Sequence, residues 1–157
     1  MKIRKGLKDS FGYALAGIIY ALKTQRNMRI HFIAALAVLL FSSFFNLSKF
    51  ELLALFFAIV FVIFAEMINT AIESTVDILT DEYHPKAEIA KNVAAGAVLI
   101  AVFNSIVVGV LVFLKKINEI CFGSIFIVTQ SNLHFIFIVI IALFLIAILL
   151  IAFYISK

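Results

Sequence analysis

Between residues 52 and 65 the chain carries no charged or polar side chain, and the next residue, Glu66, opens a series of acids. Only a helix closes all its backbone hydrogen bonds within a single apolar segment. A bilayer-crossing helix needs about 20 mainly apolar residues. Four segments meet that need: residues 30–47, weakly interrupted by Ser42, Ser43 and Asn46; a segment from 52 that continues past Glu66; residues 93–114; and residues 133–155. Of the 157 residues, 65% are hydrophobic and 14% charged, whereas a soluble domain is about 45–50% apolar and about 25% charged. One soluble core of this size cannot bury so much apolar surface. The expectation is an all-α integral membrane protein with short connections and no separately folding soluble domain. Cys121, the single cysteine, rules out an intramolecular disulfide framework, a multi-cysteine zinc site and a CxxC redox pair.

Basic residues orient the spans. Lys2, Arg4, Lys5, Lys8, Lys23, Arg26 and Arg29 precede the first span, and Lys86, Lys91 and Lys157 fall on the same side. Lys49, Lys115 and Lys116 fall on the other. The more basic side is expected to be cytoplasmic, which makes this a multi-pass inner or plasma membrane protein with its N-terminus inside. Ala14-Leu15-Ala16 imitates a signal-peptidase site, but no apolar stretch of about 7–15 residues precedes it. A surface helix is the better reading. Leu7, Phe11, Leu15, Ile18 and Leu22 form one stripe, with Lys5, Lys8, Asp9 and Lys23 off it, and basic amphipathic helices settle on anionic leaflets. The same argument assigns the basic N-terminus to lipid rather than to nucleic acid.

The second span carries Glu66, Asn69, Thr70, Glu73 and Asp77. At about 100° per residue, Glu66, Asn69, Glu73 and Asp77 share one helix face that leads out toward the cytoplasm. Ionisable groups within membrane segments are costly and default to function. Neighbouring carboxylates repel unless cations or protons intervene, and hard oxygen donors at a solvent boundary suit Mg²⁺ with substrate phosphates. Lys91, following the Glu82-Tyr83-His84-Pro85 break, is placed to receive phosphate. Glu66, deeper in the bilayer, is placed to take a proton from a lipid hydroxyl. The chemistry so assembled is phosphorylation of a membrane alcohol by ATP, without a Walker A motif or a kinase glycine-rich loop. The same spacing also allows a proton or ion path, or structural pairing with Arg26 and Arg29.

Glu66-Met-Ile-Asn69-Thr-Ala-Ile-Glu73-Ser-Thr-Val-Asp77, then Glu82-Tyr83-His84, then Ala90-Lys91-Asn92-Val-Ala-Ala-Gly-Ala-Val-Leu resembles the prokaryotic diacylglycerol kinase and undecaprenol kinase family. The resemblance runs from about residue 11 to residue 114. Residues 24–31, Thr-Gln-Arg-Asn-Met-Arg-Ile-His, resemble its Gram-positive branch, mainly undecaprenol kinases. The resemblance implies a homotrimer of protomers with a surface helix and three transmembrane helices (residues 1–116 here), to which residues 117–157 add a fourth transmembrane helix. It implies ATP and Mg²⁺ at cytoplasmic sites between protomers. By position, Glu66 is the catalytic base and Glu73 holds Mg²⁺ with the ATP phosphates. Asn69 and Asp77 support the site, and Tyr13, Glu82, Tyr83, His84 and Lys91 contact nucleotide. Gln25 and Asn92 stand where the family pattern has Glu, a metal ligand, and Asp, a nucleotide contact. Each exchange removes a negative charge, so an inactive scaffold or lipid-binding protein is the competing expectation.

Other polar residues have plainer readings. His31 and His134 sit at span ends, where polar side chains anchor at the interface; Cys121 acts as a small hydrophobe. The eighteen Phe residues serve lipid contact and helix packing. Ala94, Ala95, Gly96 and Ala97 allow close helix approach beside Lys91. Thr75 and Thr80 lack the partners of a nucleophile.

Overall fold

The computed structural model describes residues 6–80 and 82–122, with side chains described as far as residue 118. Its described residues form four helices in sequence: α1 (Leu7–Thr24), α2 (Arg26–Ser42), α3 (Lys49–Leu79) and α4 (Pro85–Phe122). The expected fourth span at 133–155, with His134, lies outside the described residues. The chain divides into two compact units, Met1–Val108 and Gly109–Lys157. The candidate site lies wholly in the first.

α1 begins with the Gly6 N–H donating to Asp9 Oδ2 at 3.0 Å, a carboxylate where the helix start is electropositive. It ends at Gln25, whose extended backbone (φ −93°, ψ 120°) also starts α2. A single residue therefore makes the bend, and α1 packs on both α2 and α3. Ala21 and Met28 are buried on either side of that bend. At the other end of α1, Leu7, Phe11 and Leu15 of the expected surface stripe are exposed, leaving an apolar edge for lipid.

α2 starts ahead of the apolar run at 30–47 and stops within it. The hydroxyls of Ser42 and Ser43 donate to the Leu39 and Leu40 carbonyls, each at 2.7 Å. These local bonds compete with continuation of the helix, so the chain turns before the expected limit at 47. At 17 residues, α2 spans about 26 Å by helix rise. Ser48 then caps α3 with Glu51: Ser48 N–H donates to Glu51 Oε2 at 2.7 Å and Ser48 Oγ accepts from Glu51 N–H at 3.3 Å. α3 therefore starts three residues earlier than the apolar run.

Two described helices, Lys49–Leu79 and Pro85–Asn118, are long and apolar enough to cross a membrane. Leu55, Ala58, Val62, Glu66 and Asn69 are the buried stripe of α3, at spacings of three and four residues. Ala94, Val98 and Ala101 form the matching stripe of α4. Around them, Phe44, Phe50, Phe57 and Phe64 are exposed, an arrangement that favours lipid or other apolar partners over water.

Candidate functional site

The buried stripe of α3 changes character along its length, from Leu55, Ala58 and Val62 to Glu66 and Asn69. Glu66 is 1% exposed and Asn69 5%. Glu66 Oε2 and Asn69 Oδ1 are both buried without a hydrogen-bond partner. Such atoms are rare because each forfeits its hydration, and two on adjacent turns mark a place where a donor is expected to arrive. They border a cleft of about 250 Å³ that also takes in Asn27 and His31 from α2 and Ala95 and Val98 from α4. The cleft thus has a polar end and an apolar wall. Thr70 does not enter this chemistry: its hydroxyl donates to the Glu66 carbonyl at 2.9 Å within the helix.

One turn on, Asn69 Nδ2 donates to Glu73 Oε1 at 3.1 Å. The bond orients the half-buried Glu73 carboxylate and leaves its second oxygen clear of Asn69. Asp77, a further turn along, forms an ion pair with Lys91 Nζ from α4. Asp77 therefore pairs with Lys91 rather than with Arg26 or Arg29; Arg29 Nη1 instead reaches the Lys23 carbonyl at 3.5 Å.

The turn between α3 and α4 is held by side chains. Thr80 Oγ1 donates to the Glu82 carbonyl at 2.9 Å and accepts from Glu82 N–H at 3.2 Å. Pro85 does not merely break the chain: it is the first residue of α4, where its missing N–H costs nothing. The His84 carbonyl accepts from Ala87 and Glu88 N–H at 2.9 and 3.1 Å, and His84 Nδ1 accepts from Lys86 N–H at 3.2 Å. Lys91 consequently lies inside the helix rather than at its start. Between the helix ends is a second cleft, of about 400 Å³, bordered by Asp77, Glu82, Tyr83, His84, Lys91 and Asn92. Glu88 also borders it, accepting from the Tyr83 hydroxyl at 2.8 Å. That hydrogen bond and the Glu88 charge push the Tyr83 phenol above its usual range.

Six of the expected residues thus meet in one cleft, Glu66 and Asn69 meet in another, and Glu73 hangs from Asn69 on the helix that joins them. Tyr13 and Gln25 border neither cleft. Tyr13 is exposed on α1, and Gln25 is half-buried at the α1–α2 bend without its side chain capping α2. His31, expected as an interfacial anchor, borders the Glu66 cleft. Asn27 and Glu88 were not expected in the site. Helical spacing signals Glu88, one turn before Asn92, once α4 is known to start at Pro85.

Among the described residues no three His, Cys, Asp or Glu side chains form a cage for a metal. The donors suit a different kind of cation site. Mg²⁺ usually takes only one or two carboxylates, with substrate phosphates and water completing its shell, and Glu73 has an oxygen to give. Glu73 would hold such an ion, and it would neutralise phosphate charge there.

A family model described as prokaryotic diacylglycerol kinase matches residues 12–113. The chain is 43% identical over 108 residues to undecaprenol kinase of Bacillus subtilis (strain 168), covering 69% of this chain and 88% of that protein. It is 41% identical over 109 residues to a diacylglycerol kinase of Synechocystis sp., covering 69% of this chain and 62% of that longer protein. To a diacylglycerol kinase of Escherichia coli (strain K12) it is 27% identical over 96 residues, covering 61% of this chain and 79% of that protein.

Proposed function

The chain belongs to the prokaryotic diacylglycerol kinase family, a family of lipid kinases, and from that premise we propose that it phosphorylates undecaprenol in preference to diacylglycerol at the cytoplasmic face of the membrane. The observation that carries the reading is the buried Glu66 carboxylate, with Oε2 unpartnered, in a cleft whose far wall is apolar. A lipid alcohol offers what that cleft lacks: one O–H donor on an apolar body. The undecaprenol preference is supported by the 43% identical Bacillus relative and by the Gram-positive pattern of residues 24–31. The cytoplasmic placement is supported by the distribution of Lys and Arg.

In this reading the lipid hydroxyl oxygen bonds to the γ-phosphorus of ATP as the bond from that phosphorus to the β–γ bridging oxygen breaks. Glu66 Oε2 takes the hydroxyl proton, and ADP leaves with the bridging oxygen. Asp77 and Glu73 lie three turns and two turns beyond Glu66, at about 16 Å and about 10 Å along the helix axis. A nucleotide held in the α3–α4 cleft would therefore extend its triphosphate along α3, past Glu73, toward Glu66. Lys91 exchanges Asp77 for phosphate, and Asn69 keeps Glu73 turned to its task. Phosphoryl transfer depends mainly on such positioning and charge stabilisation. Tyr13 and Gln25, outside both clefts of this chain, act in a homotrimer whose sites lie between protomers, with Gln25 as a second, neutral metal ligand.

A second reading is favoured by one observation. Gln25 and Asn92 are neutral where the family pattern is acidic, which describes a family member retained as a membrane scaffold or lipid-binding protein. The test is transfer of labelled γ-phosphate from Mg-ATP to undecaprenol or to diacylglycerol in lipid micelles, with Glu66→Gln, Gln25→Glu and Asn92→Asp alongside. Transfer by the wild type that vanishes in Glu66→Gln, with undecaprenol the better acceptor, is the expected result. Transfer only in the acid-restoring variants establishes the impaired form, and silence throughout sinks the kinase reading.

A further inference from the structure

The turn before α4 fixes the hydrogen-bonding polarity of two side chains that border the second cleft. Tyr83 gives its only hydroxyl proton to Glu88 Oε2. Glu88 is in the first turn of α4, where the helix dipole favours a carboxylate, and it raises the Tyr83 pKa so that the phenol keeps its proton. With that proton committed, Tyr83 Oη can only accept from a ligand. His84 is set the opposite way. Its Nδ1 accepts from Lys86 N–H, so the neutral ring carries its proton on Nε2 and can only donate from that atom.

Both side chains border the same cleft, one an acceptor and the other a donor. The edge of a 6-aminopurine offers a donor at its amino group and an acceptor at N1. A 6-oxopurine offers the reverse: an acceptor at its carbonyl and a donor at N1. We propose that Tyr83 and His84 read the purine edge of the phosphate donor, selecting a 6-amino over a 6-oxo nucleotide, and that Glu88 is the positioning residue that makes Tyr83 an acceptor. The proposal rests on the second cleft being the nucleotide site of the kinase reading. Glu88 lies outside the residues that carry the family resemblance.

The test compares ATP with ITP, which differ at position 6 and in the proton on N1. Full-length protein in lipid micelles is assayed for KM and kcat with each nucleotide. Equilibrium binding of each is measured separately without lipid acceptor. The wild type is expected to favour ATP roughly three- to tenfold in both binding and KM, the span of one to two net hydrogen bonds. In Glu88→Ala the Tyr83 hydroxyl is free to turn and donate, so the ratio falls toward unity, with the change in KM rather than kcat. Tyr83→Phe gives the same collapse. Glu88→Gln, whose amide oxygen still accepts the phenol proton, retains most of the preference and controls for folding. Equal binding of ATP and ITP by the wild type overturns the proposal, as does a preference that survives both Glu88→Ala and Tyr83→Phe. Preferential ATP binding without lipid phosphorylation upholds the purine selection and removes the kinase reading instead.

Discussion

Asn69 and Glu73, one turn apart on α3, share a 3.1 Å hydrogen bond in which the amide nitrogen donates to the carboxylate, leaving the buried amide oxygen of Asn69 without a partner. The amide faces two ways. One end orients the Glu73 carboxylate, and the other is an acceptor in the cleft that holds Glu66. Replacing Asn69 by Leu keeps the volume but releases Glu73. The expected outcome is a rise on the order of tenfold in the Mg²⁺ concentration needed for half-maximal lipid phosphorylation, the value of one charge-assisted bond. A Mg²⁺ titration at saturating ATP checks this, and an unchanged midpoint would separate Asn69 from Glu73 in function.

Glu66 should divide activity from stability. Glu66→Gln preserves shape but cannot accept the hydroxyl proton. It is expected to lower lipid phosphorylation at least about 100-fold while ATP binding persists. Glu66→Leu also removes the buried, unpartnered oxygen, so it should raise stability by about 1–3 kcal/mol. Thermal unfolding in micelles reads the second effect, and a less stable Leu variant would mean that Glu66 has a partner that satisfies it.

Glu73→Gln tests the proposed Mg²⁺ contact directly. Loss of the carboxylate charge should weaken Mg-ATP binding on the order of tenfold or more, while binding of metal-free nucleotide changes little or improves. Nucleotide binding with and without Mg²⁺ distinguishes the two, and equal losses under both conditions would take the metal away from Glu73.

The cap of α3 offers a purely structural contrast. Ser48→Ala removes the acceptor for Glu51 N–H and should cost about 1 kcal/mol, with kcat unaltered because Ser48 lies at the opposite end of α3 from the α3–α4 cleft. Chemical or thermal unfolding beside a standard lipid assay provides the comparison.

Tyr83 gives a signal in pH. Its pKa is raised chiefly by the hydrogen bond to Glu88 and next by that residue's charge, so the protonated phenol is the favoured partner. The contribution of this contact to stability is therefore present below the ordinary phenol pKa of about 10 and is lost as pH rises through the higher folded value. Phenolate absorbance, taken as the difference between wild type and Tyr83→Phe, should show Tyr83 titrating above about 10. In Glu88→Gln its midpoint should move back down.

Much of the site is legible from helix periodicity. Glu66, Asn69, Glu73 and Asp77 are drawn to one face by about 100° of rotation per residue, and the structure strings them along α3 with Lys91 closing on Asp77. The limits of the helices are less legible because short-range polar bonds decide them. Ser42 and Ser43 end α2 inside an apolar run. Pro85 reads as an interruption but initiates α4, and that change brings Glu88 into register with Lys91 and Asn92. His31 reads as an anchor because its sequence neighbours are basic and apolar; its neighbours in space include Glu66 and Asn69. Tertiary neighbours of that sort leave no local trace in a sequence.

α3 runs unbroken for 31 residues from the Ser48 cap to Thr80, and it carries Glu66 at one cleft and Asp77 at the other. The two clefts therefore keep a common phase, as marks cut on one shaft do. A substitution between them alters a single mark. One inserted residue would turn everything beyond it by about 100° and advance it by about 1.5 Å, pointing Asp77 away from Lys91 while Glu66 stays in place. Apart from Asn69 and Glu73, the stretch between Met67 and Val76 should accept many exchanges of side chain and almost no change of length.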